Sequence, residues 1–307
     1  MGNTVNTQNA SISDADRAAR RAKYKKKSEI VTIWRQFRKN KLAVAGLIIF
    51  LIMLLLAITA PLHINYEVDV IEQHIGDRLQ GPSAEHIFGT DAYGRDIFNR
   101  ILWGARVSMF TGLAVIVFAL IGGIALGATA GYLGGKVDNL IMRFIDIFLA
   151  IPFTMLAISI VATLGNSIPN LLLALTISLV PKFTRIIRSS VISLKGQEFI
   201  EAAKLCGASG PIIVLKHIIP NAMGPIIVEG TLAVARTIID IAGLSFIGLG
   251  IQPPAPEWGN MLSDAKAYMI SYPYLVYAPG LAIVITAASL TLIGDGLRDA
   301  LDPKMRN

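Results

Sequence analysis

A serine between glycines, Gly207-Ala208-Ser209-Gly210, is the nearest approach in this sequence to a covalent catalyst. Such a serine can act as a nucleophile in intramembrane hydrolysis if a histidine base lies within hydrogen-bond reach. The four histidines, His63, His74, His86 and His217, stand outside the long apolar segments or at their ends, and none forms an HxxxH or HxxEH pair for a metal. A phosphate-binding loop is absent: at Gly135-Lys136 the first glycine is replaced by Ala130, and Val137 stands where Ser or Thr is needed. Cys206 is the only cysteine, which excludes an internal disulfide framework or a thiolate metal cage. The sequence therefore predicts no catalytic residue, no metal site and no cofactor bound by this chain. A hydrolase at Ser209 and a membrane scaffold remain distant alternatives.

Charges in apolar surroundings carry a stronger signal. Glu229, Arg236 and Asp240 interrupt the apolar segment 218–250, where one unpaired charge costs ~2.5–3.5 kcal/mol on insertion scales. Arg236 and Asp240 are four apart and are expected to pair, with Glu229 two turns earlier on the same side. The three mark a translocation path or a face packed on another subunit. Asp91, Arg95 and Asp96 lie in a turn-forming segment with Gly89 and Gly94. They read as an outer gate or a platform for an external binding protein, or as a loop cap held by Arg95 with Asp91 or Asp96. QPPAPEW from Gln252 to Trp258 reads as a stiff outer turn with an interfacial tryptophan. Gly123, Gly127 and Gly131 make two GxxxG steps, a packing face within or between subunits. Pro152, Pro181 and Pro225 are placed to bend spans.

The elements that must position these residues are membrane helices. The 307 residues are 53% hydrophobic and only 16% charged, with mean hydropathy +0.58, far from the roughly one-quarter charged composition of a soluble domain. A span needs about 20 apolar residues, and six segments qualify: 42–60, stopping at Pro61; the uncharged run 107–133; 141–164; 171–187; 218–250; and 275–294. The third and fourth are separated by the turn residues Gly165, Asn166, Ser167, Pro169 and Asn170. With the N-terminus inside, cytoplasmic segments hold 22 of the 28 Lys and Arg, so the positive-inside rule places both termini in the cytoplasm. The net charge of +7 thus reports orientation rather than nucleic-acid binding. Residues 1–41 form a basic tail, with Arg20, Arg21 and Lys23 to Lys27 at its centre, read as the flank of an uncleaved anchor. They end in an interfacial elbow helix carrying Ile30, Ile33, Trp34 and Phe37 at helical spacing. Residues 61–106 form an extracytoplasmic loop.

Between two spans lies EFIEAAKLCGASGPIIVLKHIIPN, Glu198 to Asn221. Good helix formers run from Glu198 to Leu205, Gly207 suits a cap with φ > 0, and Pro211 suits the start of the next helix. Glu201, Ala202, Ala203 and Gly207, with Ile219 and Pro220, resemble the EAA signature of bacterial ABC importer permeases, although His217 stands at the signature's first Ile and Ile219 at its Leu. FGTDAYGRDIFNRILWGARVSM, GYLGGKVDNLIMRFIDIFLAIP, GLSFIGLGIQPPAPEWGNMLSDA and GDGLRDALDP resemble the dipeptide, oligopeptide and nickel branch of that family, in order over residues 28 to 305. The likeness is greatest to the C-type permeases of dipeptide importers. Leu290-Thr291-Leu292 departs from the Phe-Asn pair of many relatives.

The resemblance implies an all-α, six-span type I ABC importer permease fold with a five-helix core over 107–303, a coupling helix at 198–209 and a tail at 304–307. Glu198, Glu201, Ala202, Ala203, Gly207 and Pro220 would couple to an ATPase. Implied partners are a homologous second permease, two cytoplasmic P-loop ATPase subunits that bind ATP and Mg, an extracytoplasmic solute-binding protein and membrane lipid, in the cytoplasmic membrane of a prokaryote. The implied cargo is a di- or oligopeptide, with a nickel chelate or glutathione as the alternative.

Overall fold

A computed structural model describes residues 29–302. The basic cluster from Arg20 to Lys27 and the tail at 304–307 lie outside the described residues. The described residues form ten helices, with a short π turn at Tyr66–Ile71 and a 3-10 turn at Ile75–Asp77, and contain no strand, only an isolated antiparallel bridge between Thr90 and Asp96.

The amphipathic helix α1 (Glu29–Phe37) leads into α2 (Lys41–His63). Asn40 caps α2, its Oδ1 accepting from the Leu42 and Ala43 N–H groups at 3.1 and 3.2 Å. Helix α2 does not stop at Pro61. It continues to His63, because a missing N–H this close to the end costs one bond while Ile64 N–H still closes the turn on Ala60 O at 2.9 Å. Only 17% of its most apolar window is buried within this chain, so most of the apolar surface of α2 is left for lipid or a neighbouring subunit.

Helix α3 (Ile97–Leu133) is longer than the run 107–133, because Ile97 to Arg106, expected in the outer loop, form its first turns. Its 37 residues span about 55 Å at 1.5 Å per residue. The third span is a broken pair rather than one helix over 141–164: α4 (Gly135–Leu149) and α5 (Phe153–Leu164) meet at 83°. Pro152 explains the break, since it cannot donate and it holds the preceding residue away from helical geometry. Helix α6 (Ile168–Lys195) starts at the Ser167 cap and carries Pro181 inside.

The short helix α7 (Glu198–Leu205) precedes α8 (Gly210–Phe246). Helix α8 widens to π geometry over Ile213–Ile218, where Ile219 N–H reaches back to Val214 O, just before Pro220. The proline ring excludes an ordinary bond to the carbonyl four residues back, and the widened turn relieves that clash. Helix α9 (Trp258–Ala265) and the last span α10 (Tyr274–Leu301) complete the chain. Among the described residues, five helices are long and apolar enough to cross a membrane, or six if the bent α4–α5 pair is one span.

The core is built on the α3–α6 contact. A Cβ on Gly123 would lie 2.6 Å from Phe183 Cβ, on Gly127 2.5 Å from Thr184 O, and on Gly131 2.9 Å from Arg188 O. The two GxxxG steps therefore pack within this chain, letting the α3 backbone reach the α6 backbone directly. Two ion pairs fasten the bent segment to α6: Asp138 accepts from Arg188 Nε and Nη2, both at 2.5 Å, and Asp146 accepts from Arg185 at 2.8 Å.

Candidate functional site

Three regions hold the residues singled out by the sequence. At the α6–α8 connection, α7 ends as its composition dictates. Gly207 has φ +81°, its N–H donates to Lys204 O at 2.9 Å, and Ala208 N–H donates to Ala203 O at 3.1 Å. Buried Ile200 anchors the helix, and half-buried Ala203 packs on the core. Glu198, Glu201 and Ala202 are exposed, as are Gly207 and Pro220, so of the two alanines of the signature only Ala203 packs inward. Phe199 is exposed and Leu205 is 89% exposed. A short helix anchored by one buried side and carrying apolar and acidic groups outward is suited to sit in a groove of another protein.

On the opposite side of the chain, Asp91, Arg95 and Asp96 are brought together, but not as one ion triad. Asp91 accepts from Arg95 Nε at 2.7 Å and lies 3.6 Å from Arg100 Nε. Asp96 pairs with His86 at 2.8 Å and caps α3 by accepting from Asn99 N–H at 2.9 Å. Asp264 of α9, which the sequence reading did not single out, completes the cluster 3.5 Å from Arg95. Arg95 is 3% and Arg100 1% exposed; Arg100 also donates to Val70 O at 2.8 Å. Burial raises the Asp264 carboxyl above the usual aspartate range, against the pull of Arg95 and Arg100. The cluster thus clamps the loop to α3 and α9, while Ile87, Phe88 and Tyr93 are exposed around it.

The adjoining QPPAPEW turn is also built inward. Trp258 is not interfacial: it is 0% exposed, and its Nε1–H donates to Ile101 O at 3.1 Å. Glu257 beside it is fully buried and accepts from Ser108 Oγ at 3.1 Å and from the Gly259 and Asn260 N–H groups at 2.9 Å each. The carboxylate caps α9, which turns the indole toward α3 rather than toward lipid headgroups.

The third region is a cavity of ≈ 380 Å³ at the α4–α5 bend, walled by α6 and α8. Lys182, Arg236 and Asp240 line it, with Phe148, Phe153 and Leu156 among its apolar residues. Arg236 and Asp240 do not form the expected ion pair with each other. Glu229 instead pairs with Lys182 across the α6–α8 contact, at 2.5 Å. Both line the open cavity instead, Arg236 exposed and Asp240 half-buried.

Residues 123–307 match the family model for the binding-protein-dependent transport system inner membrane component. Residues 28–82 match that for the N-terminal TM domain of oligopeptide transport permease C. The chain belongs to this family of ABC transporter permeases. A dipeptide transport system permease protein of Alkalihalophilus pseudofirmus is 50% identical over 90% of this chain and 92% of its own length. A glutathione transport system permease protein of Escherichia coli is 42% identical, over 89% and 90%. A di/tripeptide transport system permease protein of Pseudomonas aeruginosa is 40% identical, over 91% and 94%. A solved chain of the inward-facing MetNI methionine ABC transporter superposes with TM-score 0.50 at 18% identity, covering 66% of this permease and 98% of that chain.

The fold is therefore that of a type I ABC importer permease, in a multi-pass membrane protein. The permease is a transport subunit and not an enzyme; ATP hydrolysis resides in partner subunits. The partners of Asp264 and Lys182, and the Ser108 contact of Glu257, lie far away in the chain and are not marked by local sequence. The one available signal was at Lys182 and Glu257, charges flanked by Pro181 and Phe183 and by Pro256 and Trp258.

Proposed function

We propose that this permease forms half of the membrane pathway of a peptide importer, completed by a homologous permease, two cytoplasmic ATPases and an extracytoplasmic solute-binding protein. One observation carries the cargo class: half of the aligned residues are identical to those of a dipeptide permease along nearly its whole length. ATP and Mg are held by the ATPases, and this chain holds neither. The α7 helix is the coupling element. Its outward Glu198, Glu201 and Ala202, with Leu205, enter a groove of the ATPase, Ala203 seats the helix on the core, and Gly207 and Pro220 complete the same coupling segment. ATP-driven closure of the ATPase pair moves α7 and, through it, the α6–α8 framework around the cavity. Both termini face the cytoplasm of a prokaryotic cell, with α1 lying in the inner interface. The Asp91, Arg95 and Asp96 cluster stiffens the outer platform that meets the binding protein.

Uptake of a radiolabelled dipeptide by cells lacking this chain, with and without a restored copy, tests the reading. Loss and recovery of uptake are expected. Unchanged dipeptide uptake without the chain refutes it, and loss of glutathione uptake alone moves the cargo to that peptide.

A further inference from the structure

We propose that Arg236 and Asp240 read the two ends of a free peptide in the cavity at the α4–α5 bend, the guanidinium receiving the α-carboxylate and the carboxylate receiving the α-ammonium. The inference rests on the peptide-importer reading and adds the chemical feature that the membrane pathway itself recognises.

The first support is the state of the charges. Lys182 and Glu229 neutralise each other across α6 and α8 at 2.5 Å. Arg236 and Asp240 have no ion-pair or hydrogen-bond partner among the described residues, yet both line the cavity, Arg236 exposed and Asp240 half-buried. A pair kept only for structure would be joined or buried against a counter-charge, since an unpaired charge at membrane depth is costly.

Spacing is the second support. Positions four apart on a helix have Cβ atoms about 5–6 Å apart, while two extended residues reach about 7 Å from end to end. With one helical turn between their backbones, the long Arg236 side chain can reach away from the shorter Asp240, so that the two heads bracket the termini of a dipeptide. The cavity, at ≈ 380 Å³, falls within the roughly 300–1,000 Å³ of small-ligand sites.

Third, the remaining wall is largely apolar, with Phe148, Leu149, Phe153, Leu156 and Leu179. Such a surface accepts varied side chains without selecting among them. An anion or a cation alone would meet one favourable and one unfavourable charge, whereas a zwitterion matches both.

The assembled importer, purified in detergent without its binding protein, is the object of the test. Radiolabelled alanyl-alanine is bound at equilibrium and displaced by unlabelled alanyl-alanine, its N-acetyl derivative or its C-terminal amide. The free dipeptide is expected to compete about ten-fold better than either blocked form, the worth of one charge-assisted hydrogen bond. Arg236→Gln should abolish the advantage over the amide and leave that over the N-acetyl form. Asp240→Asn should do the reverse. Absence of saturable binding, equal displacement by the three competitors, or substitutions that affect both ends alike overturns the proposal. So does failure of either variant to retain the second permease on size exclusion, which would assign these charges to subunit packing. Dipeptide uptake is measured in parallel: normal uptake with no end-group discrimination sinks this inference alone, whereas no dipeptide uptake by the unmodified importer sinks the peptide reading itself.

Discussion

Gly127→Ala puts one methyl group between α3 and α6 and should loosen the frame that holds the cavity. The added Cβ would stand 2.5 Å from Thr184 O and 3.1 Å from Arg188 N, so the obstacle is backbone on a neighbouring helix rather than a side chain that can rotate away. Ordinary contact begins near 3.4 Å, so the helices must separate locally by about 1 Å, an overpacking that costs typically ~1–3 kcal/mol. Alanine recovers up to about 1 kcal/mol in helix propensity, leaving a net loss of up to about 2 kcal/mol. Gly243→Ala is the matched control, because nothing lies within 4 Å of its added Cβ and the same propensity gain acts alone. Thermal unfolding of the detergent-purified permease with its partners, followed by size-exclusion recovery after heating, reads both changes. Gly127→Ala should lower the midpoint and Gly243→Ala should keep or raise it. Equal midpoints for Gly127→Ala and the unmodified protein would refute the reasoning, since they would show that α3 and α6 do not meet backbone to backbone at this point.

Other perturbations probe the remaining regions. Glu257→Ala leaves the Ser108 hydroxyl and two N–H groups at the start of α9 without their buried acceptor, and a loss of about 2–4 kcal/mol is expected in the same heating assay. Trp258→Ala empties a fully buried indole site and should cost about 3–5 kcal/mol; a surface tryptophan would cost far less. Glu201→Lys and Leu205→Asp change only exposed groups of α7, so membrane insertion and yield should hold while stimulation of ATP hydrolysis by loaded binding protein falls at least about ten-fold, as for loss of an interface hot spot. Gly207→Trp adds a side chain at φ +81° and should uncouple uptake in the same way; normal stimulation in these variants would remove α7 from the coupling path. Asp264 has a folded-state pKa raised by burial, so protonation favours the folded form. Stability is greatest below the unfolded aspartate pKa and declines as pH rises through the folded value. Asp264→Asn should flatten that decline in melts across the acidic range, and an unchanged pH profile would contradict it.

Composition and spacing alone determined much of this protein. Long uncharged runs must become helices in hydrocarbon, because no water is there to satisfy the backbone. The segments followed from apolar run length and the turn residues 165–170, although not the break in the third, and the limits of α7 followed from local rules at Glu198, Gly207 and Pro211 that need no distant partner. The GxxxG spacing likewise disclosed a close-packing face, since only glycine lets two backbones touch.

Tertiary structure alone decided which groups meet. Arg236 and Asp240 satisfy the local rule for a pair, yet both line the cavity at the α4–α5 bend without joining, and Lys182 on another helix takes Glu229. Trp258 carries the local marks of an interfacial residue, but the Glu257 cap and the Ile101 carbonyl draw it inside. The bend at Pro152 was visible as a proline, whereas its 83° angle depends on α4 being clamped to α6 by Asp138 and Asp146. Local sequence sets backbone preference and membrane depth. The pairing of charges is set by which helix stands alongside, and that depends on the packing of the whole chain.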